Sequence, residues 1–179
     1  MEDRARRLKR FLDGEPLEII ETLLNSIDNF FNKREIDVAA SSNLWLLVIL
    51  GIHAVALTVS DGLFNKDGHK GFHFFLKSFV DTEKEGFNFS EISKEIHTYR
   101  NIIAHRWFSD FGYDFGFDYK MVKGWEKRGD TVYFNPKLYY EAYNKAFGAG
   151  GKIWQYDKLL SKEEAQKTKE RLIKKYKNE

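Results

Sequence analysis

An arginine, a carboxamide and an imidazole lie within six residues of one another in the segment YRNIIAHRW, which begins at Tyr99. Arg100 carries a planar guanidinium, which can form bidentate hydrogen bonds with phosphate oxygens and stays charged at physiological pH. His105 carries an imidazole, which titrates near neutral pH and can give or take a proton. Together with the amide of Asn101, these groups could hold a phosphate and move a proton at it. Nothing else in the sequence offers a comparable set.

The elements around this segment decide which way its side chains point. Residue spacing predicts a helix that begins near Asn88 or Ser90 and ends near Phe108. At 100° per residue, its core stripe consists of Ile92, Ile96, Tyr99, Ile103 and Trp107. Asn101 and His105 share another face of the helix. Arg100 lies closer to the core stripe, but its side chain is long enough for the guanidinium to reach the face of Asn101 and His105. This polar stripe is centred on Ala104, which is small enough for another helix to approach closely.

Periodicity and capping signals predict a mainly α protein built as one domain, residues 1–179. Hydrophobic spacing, prolines, glycines and caps divide it into a helical bundle (about 16–108), a β-hairpin (about 113–135) and C-terminal helices (about 136–177). Within the bundle, the first helix follows Pro16 and the second begins near Glu35. Asn135 with Pro136, and the capping box that opens at Ser161, begin the C-terminal helices.

Composition limits the classes of function. With 42% hydrophobic and 16% aromatic residues, the chain has ample material for a core, which argues against disorder. Lys and Arg (29) nearly balance Asp and Glu (27), so any nucleic-acid surface has to be local. The chain has no cysteine, which excludes disulfides, thiolate metal sites and a cysteine nucleophile. This composition is typical of a reducing compartment, and we expect a cytoplasmic protein.

One apolar segment, Leu44 to Val59, calls for comparison with a membrane span. It has 16 residues, interrupted by Gly51 and His53, whereas a transmembrane helix needs roughly 20. We therefore expect no membrane span. A helix that is apolar all round is otherwise buried on more than one side. It would lie at the centre of the bundle, or between the core and a dimer interface.

The segment YRNIIAH resembles the signature of the HEPN superfamily of small helical proteins. That signature is an arginine, usually followed by a polar residue, and then a histidine after four to six intervening residues. Here the polar residue is Asn101 and four residues intervene. The likeness covers about seven residues closely and about residues 16–108 by helical pattern. It implies a HEPN-like bundle, with the hairpin and the C-terminal helices as additions that it does not explain.

The resemblance also implies an activity. Such proteins are metal-independent endoribonucleases, among them toxins and antiviral effectors, in which two copies of the motif form one site across a two-fold axis. By this likeness His105 acts on the ribose 2′-hydroxyl as general base or protonates the leaving 5′-oxygen. Arg100 holds the scissile phosphate, and Asn101 orients both groups. The implied products are a 2′,3′-cyclic phosphate and a 5′-hydroxyl, and the implied partners are RNA, a second copy and an antitoxin protein. No cofactor is implied.

A second interpretation keeps the bundle without the chemistry. Many HEPN-like domains are thought to serve as dimerisation or nucleotide-binding modules, and a shared fold does not settle activity. The intact set of Arg100, Asn101 and His105 favours the enzyme, whereas the weak net charge favours the module. Taken without the resemblance, the same residues would be a solvated helix face.

The other four histidines are weaker candidates. His97 lies on the stripe of Ala104 and either lines the site or flanks it. His53, inside the apolar segment, is expected to be a hydrogen-bonded core residue. His69 and His73 are four residues apart, but no third ligand stands at motif spacing, so we expect an incidental pair and no metal site.

Two patterns follow the motif helix. Aromatic and basic residues around the hairpin, Tyr119 to Arg128, could stack single-stranded RNA, but we expect a small sheet that packs on the bundle. Asp110, Asp114 and Asp118 repeat every four residues among aromatic residues. We expect an irregular, solvent-facing loop there rather than a cation site.

Overall fold

The computed structural model of the chain describes residues 13–106 and 115–177, without the side chains of Ile103, His105, Arg106 and residues 175–177. This part is mainly helical and carries one small sheet, which confirms the predicted class. Its α-helices are α1 (Pro16–Ser26), α2 (Asp37–Ser41), α3 (Trp45–Phe64), α4 (Gly68–Phe75), α5 (Ser93–Arg106), α6 (Pro136–Phe147) and α7 (Lys162–Lys177). Its strands are β1 (Phe115–Phe117), β2 (Trp125–Arg128) and β3 (Thr131–Phe134).

The first helical run is longer than predicted. A π-helical segment (Ile27–Ile36) joins α1 to α2, and the backbone stays right-handed helical through both junctions. The predicted helix start near Glu35 is therefore wrong. The break comes at Asn43, whose φ of 56° is left-handed, a conformation that asparagine tolerates better than most residues.

Helix α3 is the centre of the bundle and packs against α4, α5, α6 and α7. Its inward side chains are almost fully buried: Val48, Ile49, Ile52, Ala56, Val59 and Leu63. With 20 residues it is longer than the apolar run suggested, and it is long and apolar enough to cross a membrane. Half of its most apolar 18-residue stretch is buried inside the fold, as in the core helix of a bundle. Its length is therefore weak evidence for a membrane span.

Helix α7 closes the bundle over the end of α3. The Leu63 carbonyl accepts hydrogen bonds from Thr168 Oγ1 (2.8 Å) and from the Arg171 guanidinium (3.1 Å). A carbonyl in the last turn of a helix lacks an intrahelical donor, so these bonds satisfy a group that would otherwise be stranded. The predicted capping box that begins α7 is present, with reciprocal bonds between Ser161 and Glu164.

The predicted hairpin is confirmed, and it belongs to a larger sheet. Strands β2 and β3 are antiparallel and joined by a two-residue turn in which Gly129 has a φ of 61°. Strand β1 pairs with β3 in parallel, which gives the order β1-β3-β2. The loop expected around Asp118 is thus wrong for residues 115–117, which are a strand. Asp118 itself forms an ion pair with Arg128 (2.8 Å), while Asp110 and Asp114 lie outside the described residues.

The sheet packs on the bundle, as expected, and it does so on the motif helix α5. The Tyr99 ring lies 5.0 Å from that of Phe115 and 5.3 Å from that of Phe117. In β3, Phe134 is fully buried against the rings of Phe89 and Tyr139. Helix α5 is therefore held between the central helices and the sheet.

Two tyrosines of α6 form a matched pair of buried hydroxyls. Tyr143 donates to Asn32 Oδ1 at 2.6 Å, whereas the Tyr139 hydroxyl has no partner among the described residues. Tyr143→Phe leaves the buried Asn32 Oδ1 without its donor and should lower the free energy of unfolding by about 1–3 kcal/mol. Tyr139→Phe breaks no bond and should leave that free energy unchanged or raise it. Urea denaturation at pH 7 measures both, and equal losses would contradict this bonding.

Candidate functional site

The start of the motif helix is fixed by a carboxylate outside it. A 3₁₀ turn (Phe89–Ile92) precedes α5, and the Ser90 backbone N–H donates to the Asp81 side chain at 3.1 Å. Ile92 and Ile96 are buried, as the helical wheel predicts, and Tyr99 packs on the sheet. Of the predicted core stripe, the Ile103 side chain and Trp107 lie outside the described residues. The described part of the stripe fixes the rotation of α5, and with it the direction of the polar face.

Arg100 and Asn101 contact each other directly. Arg100 Nη1 donates to Asn101 Oδ1 at 2.8 Å, and both side chains are half-buried. The Nε atom of Arg100 is buried without a hydrogen-bond partner in the described part of the chain. Arg100 has no carboxylate at ion-pair distance among those same residues. A half-buried guanidinium held by a neutral amide keeps its full charge available for an anion.

Arg100 lines an open cavity of about 580 Å³ whose walls are mostly apolar. The other side chains of this Arg100 cavity include Phe30, Phe31, Glu35, Leu47, Leu50 and Ala54. Phe30 and Leu47 are 62% and 46% exposed, so the cavity opens onto an exposed apolar surface. A second cavity of about 300 Å³ shares Phe31 and Ala54, so the apolar surface continues along α3. A cation therefore stands at the edge of an uncovered apolar face.

His105 belongs to α5 and lies one turn beyond Asn101, but its side chain is outside the described residues. Residues four apart on a helix share a face, which places the His105 and Asn101 positions together. Ala104 is exposed, as predicted for the middle of the polar stripe. The three predicted site residues thus lie on one continuous helix, with the contact between Arg100 and Asn101 observed directly.

The sequence reasoning missed that the other four histidines converge. His53 of α3 is fully buried, and its Nε2 lies 2.8 Å from Nδ1 of His97 in α5. From α4, His69 contacts Ser93 Oγ and His73 contacts both Ser93 Oγ and the Ser90 carbonyl, each at 3.1 Å. The rings of His69 and His97 are 5.6 Å apart. His53 is therefore the hydrogen-bonded core residue that was predicted, and its partner is another member of this histidine cluster.

Burial keeps the central pair of the cluster neutral at pH 7. Burial first, and then the positive charge of Arg100 and the ring of His97, lower the pKa of His53 to about 3. The pKa of His97 is also lowered, first by burial and then by His69 and Arg100.

The histidine cluster does not have the geometry of a metal centre. Among the described residues, no group of three or more histidine, aspartate or glutamate side chains is placed to hold a metal ion. His69 and His73 contact Ser93 and the Ser90 carbonyl instead. The only signal in the sequence was that all four histidines fall on helices that also carry core residues.

No family model matches this chain, and comparisons with curated proteins and with solved structures found no match. The function has to be inferred from the site, since a fold alone does not define one. The site offers a half-buried arginine without a carboxylate partner among the described residues, a neutral amide that orients it, and an open apolar cavity beside both.

The neutral state of His53 has a measurable consequence. Its pKa of about 3 in the folded protein compares with 6.5 in an unfolded chain, which therefore binds more protons between these pH values. Stability is lost as the pH falls below 6.5, and at pH 4 the loss from this residue is about 3 kcal/mol. His53→Leu should therefore lose about 3 kcal/mol less than the wild type between pH 7 and pH 4 in urea denaturation. Equal losses would contradict a neutral, buried His53.

Proposed function

We propose that the protein is a metal-independent endoribonuclease of the HEPN type, a toxin or antiviral effector that acts as a homodimer. The observation that carries the proposal is the state of Arg100. Its guanidinium is bonded to the Asn101 amide and lines an open cavity, on the same helix that carries His105. A structural arginine is usually paired with a carboxylate when it is partly buried, whereas a phosphate-binding arginine needs its donors free.

The chemistry follows from these groups. Arg100 binds the non-bridging oxygens of the scissile phosphate and stabilises the charge that grows on them. The ribose 2′-hydroxyl attacks phosphorus as His105 takes its proton, and the bond from phosphorus to the 5′-oxygen breaks. The leaving 5′-oxygen receives a proton from a second imidazole. The products are a 2′,3′-cyclic phosphate and a 5′-hydroxyl, and the proton count balances without a metal.

A second copy of the chain supplies the second imidazole. The Arg100 cavity is bordered by exposed Phe30 and Leu47, and large exposed apolar patches on soluble proteins mark interaction sites. Ala104 is exposed on the adjoining stripe, where its small side chain lets a helix approach closely. A two-fold contact over this face would bring the two copies of Arg100 toward each other.

The same apolar face suits a non-catalytic dimerisation module, which is the second candidate. The module requires the exposed apolar face, but it assigns no role to the side chains of Arg100 and His105. The two candidates therefore differ in what happens when these side chains are removed from a protein that still dimerises.

The central test is RNA cleavage in EDTA by variants of the motif helix. The wild type should cleave a mixed RNA substrate, whereas Arg100→Ala and His105→Ala should each reduce the rate by about 1,000-fold or more. Lys94→Ala is the matched control, because Lys94 is an exposed cation on the same helix at its opposite end. It should cleave at the wild-type rate.

Each outcome of this test has a distinct meaning. No cleavage by the wild type would move the proposal to the dimerisation module. Equal cleavage by all four folded proteins would show that the site is elsewhere or that the activity is a contaminant.

Dimerisation and cleavage should fail together when the exposed apolar face is charged. Leu47→Lys places a second cation in the Arg100 cavity and should raise the dimer dissociation constant at least about tenfold, with a parallel loss of cleavage. Val122 is 82% exposed but does not line this cavity, so Val122→Lys should change neither property. Sedimentation velocity gives the oligomeric state. A Leu47→Lys protein that stays dimeric and active would place the interface elsewhere.

A further inference from the structure

We propose that His97 is a further residue of this site: its Nε2–H donates to the phosphate that Arg100 holds, and His53 is the positioning residue that fixes this tautomer. The inference deepens the proposed function and rests on it for the identity of the phosphate, an RNA phosphodiester. It adds a neutral donor to a site whose motif supplies a cation, an amide and a proton-transfer group.

His97 lies one turn before Arg100 on α5, about 4.5 Å along the helix axis. It is half-buried, whereas His53 is fully buried in α3. Because Nδ1 of His97 lies 2.8 Å from His53 Nε2, the other ring nitrogen of His97, Nε2, faces away from His53. Residues three apart on a helix are neighbours on its surface, so the side chains of His97 and Arg100 lie next to each other on α5.

The tautomer of both rings follows from which nitrogen of His53 has no hydrogen-bond partner. His53 Nδ1 is buried and has no hydrogen-bond partner among the described residues. A buried N–H without an acceptor is rarer in proteins than a buried acceptor without a donor, so the hydrogen of the neutral ring is on Nε2. That hydrogen is donated to His97 Nδ1. His97 therefore accepts at Nδ1, and its own hydrogen is on Nε2.

The groups around the pair keep it in this state. From α4, His69 and His73 face α5 and are bonded to Ser93 and Ser90. From α5, Arg100 adds a positive charge. No carboxylate hydrogen-bonds to a ring of the histidine cluster within the part of the chain that the structure describes, so nothing there favours a charged imidazole. A neutral Nε2–H can donate to a phosphate oxygen and cannot act as a base, which leaves proton transfer to His105.

The tautomer and the phosphate contact can be read directly by NMR of the wild-type protein labelled with ¹⁵N-histidine. At pH 7, His97 should show a protonated Nε2 and a bare Nδ1, with the His53 proton also on Nε2. The probe is a single-stranded DNA oligonucleotide, which has the same phosphodiester but no 2′-hydroxyl and therefore cannot be cleaved by 2′-hydroxyl attack. Its addition should shift the His97 Nε2–H signal, and Arg100→Ala should weaken that shift.

Paired substitutions separate donation from proton transfer. Glutamine places an amide N–H where histidine has Nε2–H, whereas leucine keeps bulk without a donor. His97→Leu should reduce cleavage by about 10- to 100-fold, and His97→Gln should recover most of it. His53→Gln should likewise outperform His53→Leu. His73→Gln is the matched control from the same cluster and should leave the cleavage rate unchanged.

The outcomes separate this proposal from the proposed function. A His97 proton on Nδ1 would overturn the proposal even if the protein cleaves RNA. An Nε2–H signal whose chemical shift does not change when the oligonucleotide binds would do the same. A His97→Gln variant as inactive as His97→Leu would also overturn it, because an N–H donor at this position would then not restore cleavage. If His97 responds to the oligonucleotide but all-RNA substrates stay intact, the donor role stands and the ribonuclease function fails.

Discussion

The hydrogen bond between buried His53 and half-buried His97 joins the central helix to the motif helix, and the geometry of the site depends on it. Burying a polar ring is costly unless it is hydrogen-bonded, so the bond from His53 to His97 fixes how α5 packs on α3. From the opposite side, the ring of Tyr99 packs on the strands of the sheet. With its rotation set from both sides, α5 can turn only one stripe outward, and that stripe carries Arg100, Asn101 and Ala104.

The same constraint explains how Arg100 can be half-buried without a carboxylate partner among the described residues. The neighbouring histidines stay neutral, so they add no repulsive charge at pH 7. The Asn101 amide orients the guanidinium and leaves its net charge uncompensated. Beside it lies an apolar face that a lone soluble chain would be expected to cover. An uncompensated cation next to an uncovered apolar surface is costly in an isolated chain. The proposed function explains both features, because a phosphate would bind the cation and a second copy would cover the apolar surface.

Local signals in the sequence predicted those features of the fold that depend only on interactions between residues close together in the chain. The N-cap of Asn135, the capping box at Ser161 and the glycine turn at Gly129 each act within four residues, and each is present as expected. The core stripe of α5 followed from its periodicity. Strand β1 could not be found in this way, because its parallel pairing with β3 depends on chain that lies 17 residues further on. The histidine cluster was hidden for the same reason: three helices contribute to it, and no spacing along one helix reveals which of them meet.

The claim at the centre of this account is that a 2′-hydroxyl attacks a phosphate held at Arg100. The most direct measurement maps the main cleavage position in an RNA in EDTA, then replaces the single ribose 5′ to that bond with 2′-deoxyribose. The account predicts that cleavage at that bond stops while other positions continue, and that mass spectrometry finds 2′,3′-cyclic phosphate and 5′-hydroxyl ends. Continued cleavage at the deoxy position, or a 5′-phosphate on the products, would contradict it.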